Sequence, residues 1–152
     1  MSRQEITEVH PVSGGGTVRR RVYFAMLAGW VAFLITLTSI PDPSFQVSVP
    51  YPDKFAHFGF YGVAGFLCAL WRRESGAGGR RAVVFSALFV VLLGAADEVH
   101  QQWIPGRSME FLDWVADVAG GTTGALLSTA AVSLFPLLLS RENPSAPRGV
   151  TG

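Results

Sequence analysis

"AVVFSALFVVLLGAADE", residues Ala82 to Glu98, is the stretch whose reading decides the fold. Its first part, Ala82 to Ala96, carries no charge, and then two carboxylates arrive together. A helix on the surface of a water-soluble bundle has an apolar stripe and a polar face. This segment is apolar all round, so a helix built from it has no side for water to solvate. At 1.5 Å per residue the charge-free part covers about 22 Å, less than the roughly 30 Å of a bilayer's hydrocarbon core. Asp97 and Glu98 are therefore expected inside one leaflet rather than clear of it. A carboxylate at the bilayer centre costs roughly 2.5–3.5 kcal/mol, and less towards the interface. Such groups turn to the bundle interior and find partners.

Three further runs flank this one. Val22 to Ile40 is free of charge, Phe55 to Trp71 is interrupted only by His57, and a run from Phe111 to Leu139 carries Asp113 and Asp117 in its first turns. The whole chain of 152 residues is 49% hydrophobic and only 15% charged, too little charge for a water-facing surface. The expectation is an all-α, integral membrane bundle of four transmembrane helices at about 22–40, 54–71, 82–103 and 111–139. These lie in one domain, 22–140, between a basic tail, 1–21, and a C-terminal tail, 141–152. Both tails are rich in Gly, Pro, Ser and charge and are expected to be mobile. The first run reads as an uncleaved helix, because it exceeds an ordinary signal-peptide core and no small-x-small cleavage pattern follows it. The single cysteine, Cys68, excludes an intrachain disulfide and a Cys-rich zinc site, and reads as a small buried hydrophobe.

Orientation follows from the basic residues. Arg3, Arg19, Arg20 and Arg21 precede the first run; Arg72, Arg73, Arg80 and Arg81 lie between the second and third; Arg141 and Arg148 follow the fourth. With four spans these ten of the 12 Lys and Arg residues share one side, leaving Lys54 and Arg107 on the other. The positive-inside rule places both N and C termini, and the 72–81 hairpin, in the cytoplasm. Most acidic residues fall outside: Asp42, Asp53, Asp97, Glu98, Glu110, Asp113 and Asp117. A net charge of +1 with scattered arginines gives no basic stripe, so no nucleic-acid partner is expected.

The outer end thus collects the chemistry-bearing side chains. Asp53, His57 and Tyr61 are spaced by four and share a helix face, with Lys54 beside them. Asp97 or Glu98 shares a face with Gln101, and Asp113 with Asp117. Pro105-Gly106 is a turn signal, and Arg107 follows it, close enough to answer the carboxylates. Gly120 and Gly124 form a GxxxG that admits a neighbouring helix at close range. Plainer readings compete: Asp53 and Asp113 suit helix starts, Asp117 could sit at the interface, and His57 could be an interhelical hydrogen-bonder. Tyr61 could donate to the His57 face, Arg107 could be an ion-pair partner for Asp97 or Glu98, and Tyr51, Trp103 and Trp114 read as interface-belt aromatics. His10 and His100 carry weaker signals.

These same residues resemble the VanZ-like family of bacterial membrane proteins. Its pattern Asp-Lys-x-x-His-Phe-x-x-Tyr is matched by Asp53-Lys54, His57-Phe58 and Tyr61. A second segment, Asp/Ser-Glu-x-x-Gln-x-aromatic-x-Pro-Gly-Arg, is matched by Asp97-Glu98, Gln101, Trp103 and Pro105-Gly106-Arg107. A third is matched by Asp113, Gly120 and Gly124, with Asp117 where the family usually has Asn. The resemblance covers roughly residues 50 to 130. It implies a small multi-span protein of the cell envelope, in a family whose founding member is linked to teicoplanin resistance.

Three functions compete. The first is a multi-pass protein of the inner (cytoplasmic) membrane whose outer-leaflet polar site takes an envelope lipid precursor or a glycopeptide. The second is an intramembrane enzyme with His57, Glu98 and Asp113 as the catalytic candidates, working by acid–base chemistry or with a divalent cation. No H-E-x-x-H or G-x-S-x-G motif supports it, and no cofactor is expected. The third is a structural membrane subunit. The lipid bilayer is the expected partner, and a homo-oligomer stays open. Four spans without a repeat leave little from which to build a transporter.

Overall fold

The computed structural model describes residues 14–41 and 52–139. It contains α1 (Gly14–Thr38), α2 (Pro52–Glu74), α3 (Gly79–Gln101) and α4 (Phe111–Leu134), followed by a short 3-10 turn at Pro136–Leu138. No strand occurs among the described residues. Tyr51, His10, Asp42, residues 1–13 of the expected N-terminal tail and the whole expected C-terminal tail, 141–152, lie outside them.

Helix ends depart from the apolar runs. α1 starts at Gly14, well before Val22, so the part of the expected N-terminal tail from 14 to 21 is helical. Hydrophobicity marks only what lipid must touch, whereas arginine is a good helix former and prolongs the hydrogen-bonded ladder into the polar zone. The same reasoning extends α2 to Glu74 and starts α3 at Gly79. α3 stops at Gln101 instead of 103, because the chain turns there towards Pro105. α4 stops at Leu134 instead of 139, because Pro136 has no N–H to continue the ladder. Between α2 and α3, Gly76 adopts φ +90°. The N–H of Ala77 reaches the Arg72 carbonyl and that of Gly76 the Arg73 carbonyl, both at 3.0 Å. This left-handed cap reverses the chain in a tight hairpin.

Three helices, α1 from Gly16, α3 and α4, are long and apolar enough to cross a membrane. α2 falls short of that measure, a difference from the expected four spans. It is the central helix, packed against each of the other three. Contact with three neighbours buries most of its stretch from Tyr61 to Leu70, while Phe55 and Phe58 near its start stay exposed.

The distribution of side-chain size supports a lipid surround. Large apolar residues point outward, among them Phe24, Phe33, Leu88, Leu92, Leu126 and Leu134. The interior holds Ala64, Cys68, Ala69, Ser86, Ala125 and Ser128, together with Leu34, Tyr61 and Val90. Lipid tails are as apolar as leucine, so helices associate here by close packing and hydrogen bonds rather than by hiding grease. α2 and α4 show this most clearly. A Cβ added at Gly120 would run into the Phe58 carbonyl, one at Gly124 into that of Gly62, and one at Gly65 into that of Gly121. The two backbones touch through glycines contributed by both helices. Trp30 adds a tie from α1, its indole N–H donating to the Phe60 carbonyl at 2.9 Å.

Candidate polar site at one end of the bundle

The helices alternate in direction, so the C-terminal ends of α1 and α3 and the N-terminal ends of α2 and α4 meet at one end. Buried charge concentrates there. Asp97, Glu98, Gln101, Asp113 and Asp117 are all buried, in addition to Thr38 and Tyr61. The side chains fall into three adjoining groups.

The outermost centres on Lys54. Its Nζ lies 2.7 Å from Asp113 Oδ1, 2.9 Å from Glu110 Oε2 and 2.9 Å from Asp53 Oδ2. One ammonium with three donors thus meets three carboxylates from α2, α4 and the residue before α4. Glu110, the residue at the N-cap of α4, was not among the residues the sequence singled out as a site.

Deeper lies His57, between two acids of α4. Its Nδ1 is 2.8 Å from Asp117 Oδ1, and its Nε2 is 4.0 Å from Asp113 Oδ2. The spacing by four of Asp113 and Asp117 brings both to this one ring. Asp117 is fully buried because Gly94 of α3 leaves room for it: a Cβ at Gly94 would lie 2.8 Å from Asp117 Oδ2. Gly94 borders this candidate site and was not singled out from the sequence, since a lone glycine in an apolar run carries no distinguishing signal. Glu98 of α3 completes this group. Its Oε2 accepts the backbone N–H of Glu110 at 2.7 Å, which fixes the start of α4 against the end of α3. Glu98 Oε1 and Asp117 Oδ2 accept no hydrogen bond among the described residues. One donor atom from each of His57, Glu98 and Asp117 lies within 4.8 Å of the others, a spacing that could hold a metal ion, and Asp53, Glu110 and Asp113 share that property.

The third group centres on Asp97. Thr38 Oγ1 donates to its Oδ1 at 2.6 Å, while Tyr61 OH and Gln101 Nε2 donate to its Oδ2 at 3.0 and 3.2 Å. One carboxylate thereby joins α1, α2 and α3. Tyr61 stacks parallel to His57, with ring centroids 6.2 Å apart, but gives its proton to Asp97 rather than to the His57 face. Thr38 was missed, although a hydroxyl at the polar end of an otherwise apolar run is the residue type that such an acid needs. Ser39 and His100 pair beside this group at 3.0 Å.

Among the described residues, Arg107 pairs with neither Asp97 nor Glu98. Its Nε donates to the Ile40 carbonyl at 3.0 Å, with longer contacts from Nη2 to the Leu37 carbonyl and from Nη1 to Gln101 Oε1. The turn explains this: Gly106 has φ +81° and the Arg107 N–H closes on the Ile104 carbonyl at 3.1 Å. That type II turn aims the guanidinium at the open C-terminal carbonyls of α1, where a cation also meets the negative end of the helix dipole. Replacing Arg107 by alanine should therefore loosen α1 from the loop and lower stability in detergent by roughly 1–2 kcal/mol, the value of one charged-donor bond with weaker companions. Arg107→Lys should recover little of this, because an ammonium cannot reproduce the fork. A thermal melt of Arg107→Ala equal to the native protein's would show that the contacts carry no weight.

Two aromatics also separate. Trp103 is 73% exposed, as a belt residue would be. Trp114 is half-buried instead, its indole N–H donating to the Val91 carbonyl of α3 at 3.1 Å, because α4 presses that face against α3.

A family model described as VanZ/LLP1 matches residues 17–135, which take in α2, α3, α4 and all of α1 but its first three residues. No curated protein and no solved structure matches the chain.

Proposed function

Since the chain belongs to the VanZ/LLP1 family and is a membrane protein with three span-like helices, we propose that α2 crosses as a fourth span and that both termini are cytoplasmic. The polar end of the bundle then faces outward in the cell envelope, where it takes an envelope component, a lipid-linked precursor or a glycopeptide. The observation that carries this reading is the separation of charge along the bundle. Arg19, Arg20 and Arg21 of α1 and the Arg72, Arg73, Arg80 and Arg81 hairpin lie at one end. The carboxylates of α2, α3 and α4 converge at the other. Asymmetry of Lys and Arg is what orients spans during insertion, and ionisable groups kept inside a membrane despite their cost commonly mark a working site.

A second reading has one observation in its favour: His57 stands between Asp117 and Asp113, an arrangement suited to moving a proton. Both readings use the same end of the molecule.

Cells carrying Glu98→Gln or Asp113→Asn, with membrane levels verified, should show altered sensitivity to glycopeptides while the protein still folds. Unchanged sensitivity in both variants would count against an envelope ligand. Orientation has its own check. A cysteine introduced at Gly78 should resist a membrane-impermeant thiol reagent in intact cells, and ready labelling there would invert the topology.

A further inference from the structure

The geometry points to a divalent transition-metal site formed by His57 of α2, Glu98 of α3 and Asp117 of α4. Their donor atoms lie within 4.8 Å of one another, a group that a single ion with bonds of about 2.0–2.2 Å draws together by a few tenths of an ångström per side chain. The inference departs from the expectation of no cofactor. It rests on the cluster's geometry alone and not on the envelope reading, so each can fail without the other.

Burial makes the cluster more than a group of nearby acids. Asp117 is 0% and Glu98 2% exposed, yet each keeps one oxygen with no donor among the described residues. A carboxylate oxygen left without a donor in a low-dielectric interior is costly, even where its partner oxygen is paired, as with His57 and the Glu110 N–H here. The neighbouring cations are committed elsewhere. Lys54 is held by Asp53, Glu110 and Asp113, and Arg107 by the carbonyls at the end of α1. Lys54 also explains why Asp53, Glu110 and Asp113 are not a rival site, since its ammonium already lies within 2.9 Å of an oxygen on each.

The donor chemistry selects the ion. One imidazole with two carboxylates suits zinc or manganese, whereas calcium prefers six to eight oxygens. His57 is also oriented for the task. A ring that gives Nδ1 to an ion on the Asp117 side keeps its N–H on Nε2, facing Asp113 Oδ2 at 4.0 Å. The proton that Nδ1 shares with Asp117 in the metal-free arrangement is then carried on Nε2. A carboxylate behind the ligating histidine is the usual outer-shell support for a metal, and Asp113 has to close by about 1 Å to accept that N–H. Three protein ligands leave coordination positions open, so the ion also gives this acid-rich end a way to hold an anionic oxygen.

The full-length protein, purified without a polyhistidine tag and stripped with chelator, should bind one equivalent of zinc and melt at a higher temperature when loaded. His57→Gln, Glu98→Gln and Asp117→Asn should each weaken zinc binding more than about 100-fold, beyond the roughly 10–100-fold that loss of an outer-shell partner costs. His100→Gln, whose ring pairs with Ser39, should leave binding unchanged. X-ray absorption of zinc bound to the native protein should show one imidazole in a nitrogen and oxygen shell, a readout that needs no variant to fold. Absence of saturable binding, binding unaffected by all three substitutions, or a zinc shell without imidazole would each overturn the site.

Discussion

A leucine at Gly124 should prevent α2 from closing onto α4. The Cβ alone would overlap the Gly62 carbonyl, and Gly120 and Gly65 make equivalent approaches at Phe58 and Gly121. The obstacle is backbone rather than a flexible side chain, so no rotamer change relieves it and the helices must move apart. Separation also removes the contacts of the other glycines along the seam. The cost should reach or exceed the top of the range for overpacking, about 1–3 kcal/mol. The position of the acids on α4 relative to His57 and Lys54 would shift with it. Leucine at Gly29, where an added Cβ meets nothing within 4 Å, serves as the control and should be nearly neutral. Thermal unfolding in detergent, together with disulfide trapping of cysteine pairs placed across α2 and α4, reads both effects. Equal melting of the Gly124 and Gly29 variants would show that the seam is looser than described.

The second large effect is expected at Asp97. Alanine there leaves Thr38, Tyr61 and Gln101 without their shared acceptor. Hydrogen bonds between membrane helices average about 0.6 kcal/mol with a maximum near 1.7, so loss of two between helices, from Thr38 and Tyr61, and one within α3, from Gln101, all to one charged acceptor, should cost roughly 2–4 kcal/mol. The damage should spread, because the three donors belong to three different helices. Asp97→Asn keeps an acceptor oxygen and the shape of the side chain, and should cost about 1 kcal/mol, one ordinary hydrogen bond. Tyr61→Phe removes a single donor and should fall in the same range. If Asp97→Ala unfolds no more readily than Asp97→Asn, the carboxylate is not the junction of these helices.

Much of the architecture was legible because lipid imposes a simple rule. A segment such as Ala82–Ala96, apolar on every side, has only one stable surrounding, and its length sets how deep Asp97 and Glu98 must lie. The periodicity of four also foretold shared faces: Asp113 and Asp117 do reach one histidine, and Asp97 does bond Gln101. What periodicity cannot supply is the rotation and axial offset between helices. Arg107 looked like the answer to the acids because it lies near them in sequence. The turn at Gly106 instead sends it to α1. Asp97 is met by Thr38, Tyr61 and Gln101, Glu98 by the Glu110 N–H, and Lys54 from α2 takes Glu110 and Asp113. Thr38 lay in a different apolar run, so only the packing of α1 against α3 reveals it.

The sequence by itself determined four helices, the gathering of most carboxylates at one end and of most arginines at the other, since those follow from composition along each segment. The tertiary structure decided which acid meets which partner, why α2 is central, and which two carboxylate oxygens are left without donors. Those outcomes depend on glycine contacts that set the approach of α2 and α4 to within backbone touch, and no single segment carries that distance in its own letters.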